Sequence, residues 1–210
     1  MEKEKSLTES KIEYVLNWAY DKAVNGVPGL DSAEELAEDY LRGKGTLRDK
    51  ANTLRKNQCK KCFTSGFVTG LGGLLVLPVS LPANMTSVLF LQIRMIAAIA
   101  KMGGYDLKDD RVKTLVYQCL VADSCKEVIK NMGVQAGKKL ALNLIKKIPA
   151  ASLRQINKTV TIKLFTKFGE KGIINLWKAV PLLGGLISGS VDWYGAKKIG
   201  NVARDTFLPE

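Results

Sequence analysis

Residues 66–102 read GFVTGLGGLLVLPVSLPANMTSVLFLQIRMIAAIAKM, and the fold turns on how that stretch is read. No charged side chain stands between Lys61 and Arg94, an uncharged run long enough in principle to cross a bilayer. Pro78 and Pro82 interrupt it. Proline has no backbone N–H and clashes with the preceding turn, so no helix runs through Leu77-Pro78-Val79-Ser80-Leu81-Pro82. Gly66, Gly70, Gly72 and Gly73 loosen the first arm. The simplest reading is two apolar helices joined by a proline-bounded elbow and folded back on each other. Gly66-x-x-x-Gly70 suits close helix packing in a protein core and in a membrane alike.

Outward from this hairpin every segment reads as helix. On its N-terminal side Thr46, with Asp49 three residues on, opens a strongly basic helix (Arg48, Lys50, Arg55, Lys56, Lys60, Lys61) that runs into the apolar arm. Before it lie two acidic helices. Ser6-Leu7-Thr8-Glu9 has the form of a capping box, followed by Ile12, Val15, Leu16, Ala19 and Val24 at helical spacing. Asn25-Gly26 and Pro28 stop that helix. Ser32, with Glu35 three residues on, starts the second, with Leu36, Tyr40 and Leu41 on its inner face. Together, residues 1–45 form an acidic helical pair able to cover the basic remainder, 46–210.

On the C-terminal side Asn84 or Thr86 can cap a helix that ends at Met102-Gly103-Gly104. Asp109 and Asp110 then start a helix predicted from about Arg111 to Asn131, and another follows from Val134 to Lys147, closed by Pro149. Thr159-Val160-Thr161-Ile162 is the only β-prone run and is better absorbed into a helix. Val180-Pro181 opens a second glycine-rich apolar helix, continued by an amphipathic one from Ala196 to Phe207. The expected fold is all-α, a single helical domain built around the broken hairpin.

Charge narrows the function. The chain of 210 residues carries a net charge of +12, while its mean hydropathy is 0.00. Residues 1–50 hold eleven acids against eight bases, and the rest hold nine against twenty-four. Between Glu127 and Glu170 there is no acid at all. Such segregation points to a polyanionic partner. Lys138, Lys139, Lys146, Lys147, Arg154 and Lys158 are the candidate residues for an anionic membrane surface. Only Phe165 and Phe168 interleave this interval, too few aromatic rings to favour single-stranded nucleic acid.

The chain has no histidine, which removes Ser-His-Asp and Cys-His catalysis and most zinc and iron sites. Cys59 and Cys62 form a Cys-x-x-Cys with no second close pair; Cys119 and Cys125 stand farther apart. A zinc site needs more than this, and reduced, partly buried thiols are the plainer reading. No metal and no cofactor are expected. Gly133–Lys139 is one residue short of a phosphate loop and lacks its Ser/Thr. Leu75 stands where a dinucleotide fingerprint needs its third glycine. Asp109 and Asp110, adjacent on a helix, point apart. No catalytic constellation survives, so the expectation is a non-enzymatic protein. MEKEKSLTES has no apolar core, so no signal peptide is expected, and the cytoplasm is the expected compartment.

Arg94 is the one charge inside the apolar helix 88–100, flanked at helical spacing by Phe90, Leu91, Ala97 and Ala98. If buried it needs a carboxylate or several carbonyls. The reading favours Asp192, isolated between Val191 and Trp193 on the second glycine-rich helix, as its partner in a buried pair, with Asp106 as the other candidate.

Several of these residues, taken in order, resemble a known pattern. Gly66-Phe67, Thr69-Gly70-Leu71-Gly72-Gly73, Leu77-Pro78, Leu81-Pro82-Ala83-Asn84, Gln92-Ile93-Arg94-Met95-Ile96-Ala97, Gly104-Tyr105-Asp106 and Val180-Pro181 with Gly184-Gly185 and Gly189 are similar to the EcsC family of bacterial proteins. Trp18 and the Glu35–Leu41 helix extend the likeness across nearly the whole chain. The resemblance implies a bacterial source, an all-α fold and a link to membrane processes, and it transfers no catalytic residue. The reading that results is a cytoplasmic protein bound peripherally to the inner face of the cell membrane through its basic half, with anionic lipid or a membrane protein as partner. Two alternatives stand beside it. One is an effector that inserts or permeabilises with the Gly66–Ala100 hairpin. The other is a soluble module binding an apolar ligand or a protein.

Overall fold

The computed structural model describes residues 2–63, 83–121, 145, 148–168 and 186–209, with side chains described for 9–60, 86–121, 145, 148–166 and 195–209. These residues form seven helices and no named strand: α1 (Glu2–Asn25), α2 (Ala33–Leu41), α3 (Leu47–Phe63), α4 (Ala83–Met102), α5 (Asp110–Leu120), α6 (Ala150–Phe168) and α7 (Leu186–Phe207). The chain is all-α, as the sequence periodicity requires.

The local start signals work as read at two helices. Ser32 caps α2 in a reciprocal box: its hydroxyl accepts from the Glu35 N–H at 3.1 Å, and the Ser32 N–H donates to Glu35 Oε2 at 2.8 Å. Hydrogen bonding to the carboxylate, first from the Ser32 N–H and then from the Ser32 hydroxyl, holds the Glu35 carboxyl below its usual range. Thr46 and Asp49 form the equivalent box at α3, with the Thr46 N–H on Asp49 Oδ2 at 3.1 Å and the Asp49 N–H on Thr46 Oγ1 at 3.2 Å. Asp109 caps α5 by accepting from the Arg111 N–H at 2.8 Å.

Three expected boundaries are corrected. Helix α1 starts at Glu2, upstream of Ser6, because Glu2, Lys3, Glu4 and Lys5 are themselves good helix formers. Asn84 and Thr86 both lie inside α4, which begins at Ala83, and neither caps it. Helix α5 ends at Leu120, with Val121 closing it, and does not run on to Asn131. The proline elbow, the first arm of the hairpin and the helix expected over 134–147, Ile145 apart, lie outside the described residues.

Helix α4, expected from sequence as the second arm of the hairpin, is the centre of the core. From Thr86 to Ala100 every residue but Val88 is buried. A helix apolar all round has no solvent face and must be enclosed, and here α1, α2, α3, α5 and α7 all pack on it. Ile12, Leu16, Ala19 and Ala23 of α1 meet Phe90 through Ala100 of α4 in one cluster with Leu54 of α3, Leu115 and Val116 of α5, and Ile199 and Ala203 of α7. Among the described residues no helix is long and apolar enough to cross a membrane.

Polar pins fix the outer helices. The Tyr20 hydroxyl donates to the Leu107 carbonyl at 2.8 Å, and that of Tyr117 to the Leu16 carbonyl at 3.0 Å. The two rings meet edge to face at 5.7 Å, a favourable aromatic geometry. Burial pushes both phenols up, so they remain neutral donors. At the far end of α7, Arg204 donates to Asn52 of α3 at 2.8 Å, and Arg48 pairs with Asp205. Cys59 and Cys119 are buried and form no disulfide.

The turn after α4 is tight for a specific reason. A Cβ on Gly103 would stand 2.3 Å from the Phe207 carbonyl oxygen and 3.0 Å from the Tyr105 ring. A backbone carbonyl cannot swing aside, so Gly103→Ala is expected to lower stability by about 1–3 kcal/mol through forced displacement of the α7 terminus. Chemical denaturation checks this; an unchanged midpoint would show that the α7 terminus is not seated on this turn.

Candidate functional site

Helix α6 is the described part of the acid-free interval. Pro149 precedes it, and its carbonyl accepts from the Ser152 N–H at 3.0 Å. Ile156, Val160 and Leu164 recur every four residues and are buried, with Leu153 and Phe165 partly buried beside them. This stripe seats α6 on α5 and α1. Arg154, Lys158 and Lys163 are all exposed, on a helix with no acidic residue; Arg154 and Lys158 share one side, and Lys163, nine residues from Arg154, lies half way round the helix from it. Ile162, one turn beyond Lys158, is 40% exposed. The only other large apolar residue this exposed among the described ones is Tyr14.

Of the six basic residues singled out from sequence, Arg154 and Lys158 are thus placed one turn apart on one solvent face. Lys138, Lys139, Lys146 and Lys147 lie outside the described residues.

Sequence reading missed what stands next to this face. Arg154, Asn157, Lys158 and Thr161 form one wall of a cleft of about 360 Å³, and Glu9, Ser10 and Glu13 of α1 form the other. A second concavity of about 340 Å³ continues it along Arg154 and Asn157 toward Asn17 of α1 and Asp110, Lys113 and Thr114 of α5. Glu9 and Glu13 are four residues apart, a spacing that puts both on one helix face. That periodicity was legible, but nothing local says which helix they face.

The buried charge is a second feature with a clear geometry. Arg94 is fully buried in the middle of α4. Its Nε donates to the Asp31 carbonyl at 2.7 Å, and its Nη2 stands 3.7 Å from Asp31 Oδ2. Burial pushes the guanidinium down, opposed by Asp31, Tyr40 and Glu35. Asp31 therefore supplies Arg94 with both a carboxylate and a carbonyl. The favoured partner, Asp192, has its side chain outside the described residues. Asp106, the other candidate, is exposed and accepts from the Lys108 N–H at 2.9 Å.

Asp31 arrives there because of the connection between α1 and α2. Pro28-Gly29 forms a turn closed by Leu30 N–H to the Val27 carbonyl at 3.0 Å, with Gly29 at a φ of 78° that favours glycine in this turn type. The turn returns the chain to the Ser32 cap with Asp31 over α4. The arrangement is a packing device joining α2 to α4. Among the described residues no cluster of side chains could hold a metal ion.

A model of the EcsC protein family matches residues 3–208. No curated protein and no solved structure matches the chain.

Proposed function

The chain belongs to the EcsC protein family, and from that premise we propose that it is a non-enzymatic helical protein that associates peripherally with anionic membrane surface, at the inner face of the cell membrane. The observation that carries this reading is the exposed side of α6, where Arg154 and Lys158 stand one turn apart with Ile162 one turn further on, along a helix with no acid. A helix seated by its apolar stripe and showing cations with an exposed aliphatic side chain suits the interface of an anionic bilayer. Lys138, Lys139, Lys146 and Lys147 belong to the same proposed surface by sequence.

Peripheral contact is favoured over insertion of the Gly66–Ala100 hairpin by the burial of α4. To reach lipid, residues 86–100 would have to leave contacts with five helices. That loss exceeds what a marginally stable domain holds in reserve.

Flotation with neutral and anionic vesicles at two salt concentrations tests the proposal. The protein is expected to bind anionic vesicles at low salt and to be released by high salt, since screening weakens surface charge attraction. Arg154→Ala with Lys158→Ala should weaken binding by about 2 kcal/mol, roughly 1 kcal/mol for each cation lost near the surface. Equal binding to neutral vesicles would remove the electrostatic reading. Binding that resists salt and yields only to detergent would favour insertion, and tight binding to duplex DNA at physiological salt would replace lipid with nucleic acid.

A further inference from the structure

The cleft between α1 and α6 sets unpaired charges of opposite sign against each other. Glu9 and Glu13 line one wall and Arg154 and Lys158 the other, yet none of the four makes an ion pair among the described residues. Arg154, Lys158 and Glu13 are exposed and Glu9 is partly so. The four charges therefore face one another across the cleft without an ion pair to lock them among the described residues.

We propose that Glu9 and Glu13 of α1 are a built-in competitor for Arg154 and Lys158, so that the basic face of α6 engages only surfaces of high anionic charge density. The inference rests on the membrane reading above and adds its regulation. The physical argument is that an anionic headgroup approaching α6 meets the field of two carboxylates one helical turn apart beside the two cations it seeks. A sparse anionic surface gains little over that internal pairing. A dense one supplies several anions at once and outcompetes it. Neutralising the two acids, or moving the start of α1 away from α6, lowers the threshold.

The test is flotation on vesicles of increasing phosphatidylserine fraction at low salt, with far-UV circular dichroism and melting curves to establish that every variant is folded. Glu9→Gln with Glu13→Gln is expected to tighten binding roughly tenfold at intermediate phosphatidylserine, below the about thirtyfold that two fully freed surface cations would give. Glu38→Gln with Asp39→Asn makes the same change in net charge on α2, which packs on α4, and should alter binding by no more than about twofold. In an Arg154→Ala, Lys158→Ala background the gain from Glu9→Gln and Glu13→Gln should vanish.

Three results would overturn the proposal: no gain in the α1 variant, an equal gain in the α2 variant, or a gain that persists without Arg154 and Lys158. Failure of the membrane reading has a different signature. In that case wild type and the α1 variant would both stay unbound on fully anionic vesicles at low salt, and the competitor role would fall with it. Salt-sensitive binding by wild type with no gain in the α1 variant would remove the competitor role alone.

Discussion

Asp31→Asn is expected to destabilise the protein by about 2–3 kcal/mol, while Arg94→Met leaves stability unchanged or raises it, although Arg94 is the buried member of the pair. The Arg94 side chain is 1% exposed and the Asp31 side chain 60% exposed. Removing the carboxylate leaves a guanidinium charge inside α4 with a single carbonyl, at 2.7 Å. Breaking a fully buried pair from one side costs about 3–5 kcal/mol, and the exposure of Asp31 brings the expectation to the lower figure. Removing Arg94 strands nothing comparable, because Asp31 is already in water. It also eliminates two guanidinium nitrogens, Nη1 and Nη2, that have no hydrogen-bond partner among the described residues, and methionine keeps most of the volume. Replacing buried ions by apolar groups of similar size is often neutral or stabilising. The double variant should match Arg94→Met, since Asp31 then has no buried charge to serve, and the two effects will not add. Urea unfolding of the four proteins decides it. Arg94→Met as the most damaging change would mean that its bond to the Asp31 carbonyl dominates.

Phe90→Ala is expected to cost about 3–5 kcal/mol, the range for deleting a buried aromatic side chain that leaves a cavity. Phe90 is 1% exposed, lies within the shared cluster of α1, α3, α4, α5 and α7, and sits 6.2 Å ring to ring from Trp18 of α1. The measurement is the shift in denaturation midpoint at constant slope. It also bears on the role of the apolar hairpin. A helix whose apolar surface awaits lipid would lose little stability when one side chain is trimmed, so a change below about 1 kcal/mol would turn attention to insertion. Tryptophan fluorescence, with Trp18 beside the site, gives a second readout.

Much of the fold was legible before any coordinates, for reasons that are local. The all-α class follows from Ile12, Val15, Leu16 and Ala19, and from Val112, Leu115, Val116 and Cys119, whose helical spacing has no strand alternative. Ser32-x-x-Glu35 and Thr46-x-x-Asp49 announced two helix starts, because a cap needs only residues three apart. Ser6-x-x-Glu9 announced a third that the structure places earlier, since a capping pattern inside a run of good helix formers does not stop it. The end of α5 at Leu120 was missed. Apolar positions beyond it keep the helical period, and periodicity carries no stop signal of its own.

The sequence by itself determined which segments are helical, which of their faces are apolar, and that acid and base are segregated along the chain. These are matters of residue type and of neighbours within one or two turns. Only the tertiary structure decided which faces meet. It put Asp31 on Arg94 across 63 residues, Tyr20 on the Leu107 carbonyl across 87, and the acids Glu9 and Glu13 beside Arg154 and Lys158. No local pattern distinguishes Asp31 from the other acids of the N-terminal pair. It reaches Arg94 because the Pro28-Gly29 turn and the packing of α2 on α4 carry it there, and partner choice of that kind is settled by the closure of the whole core around α4.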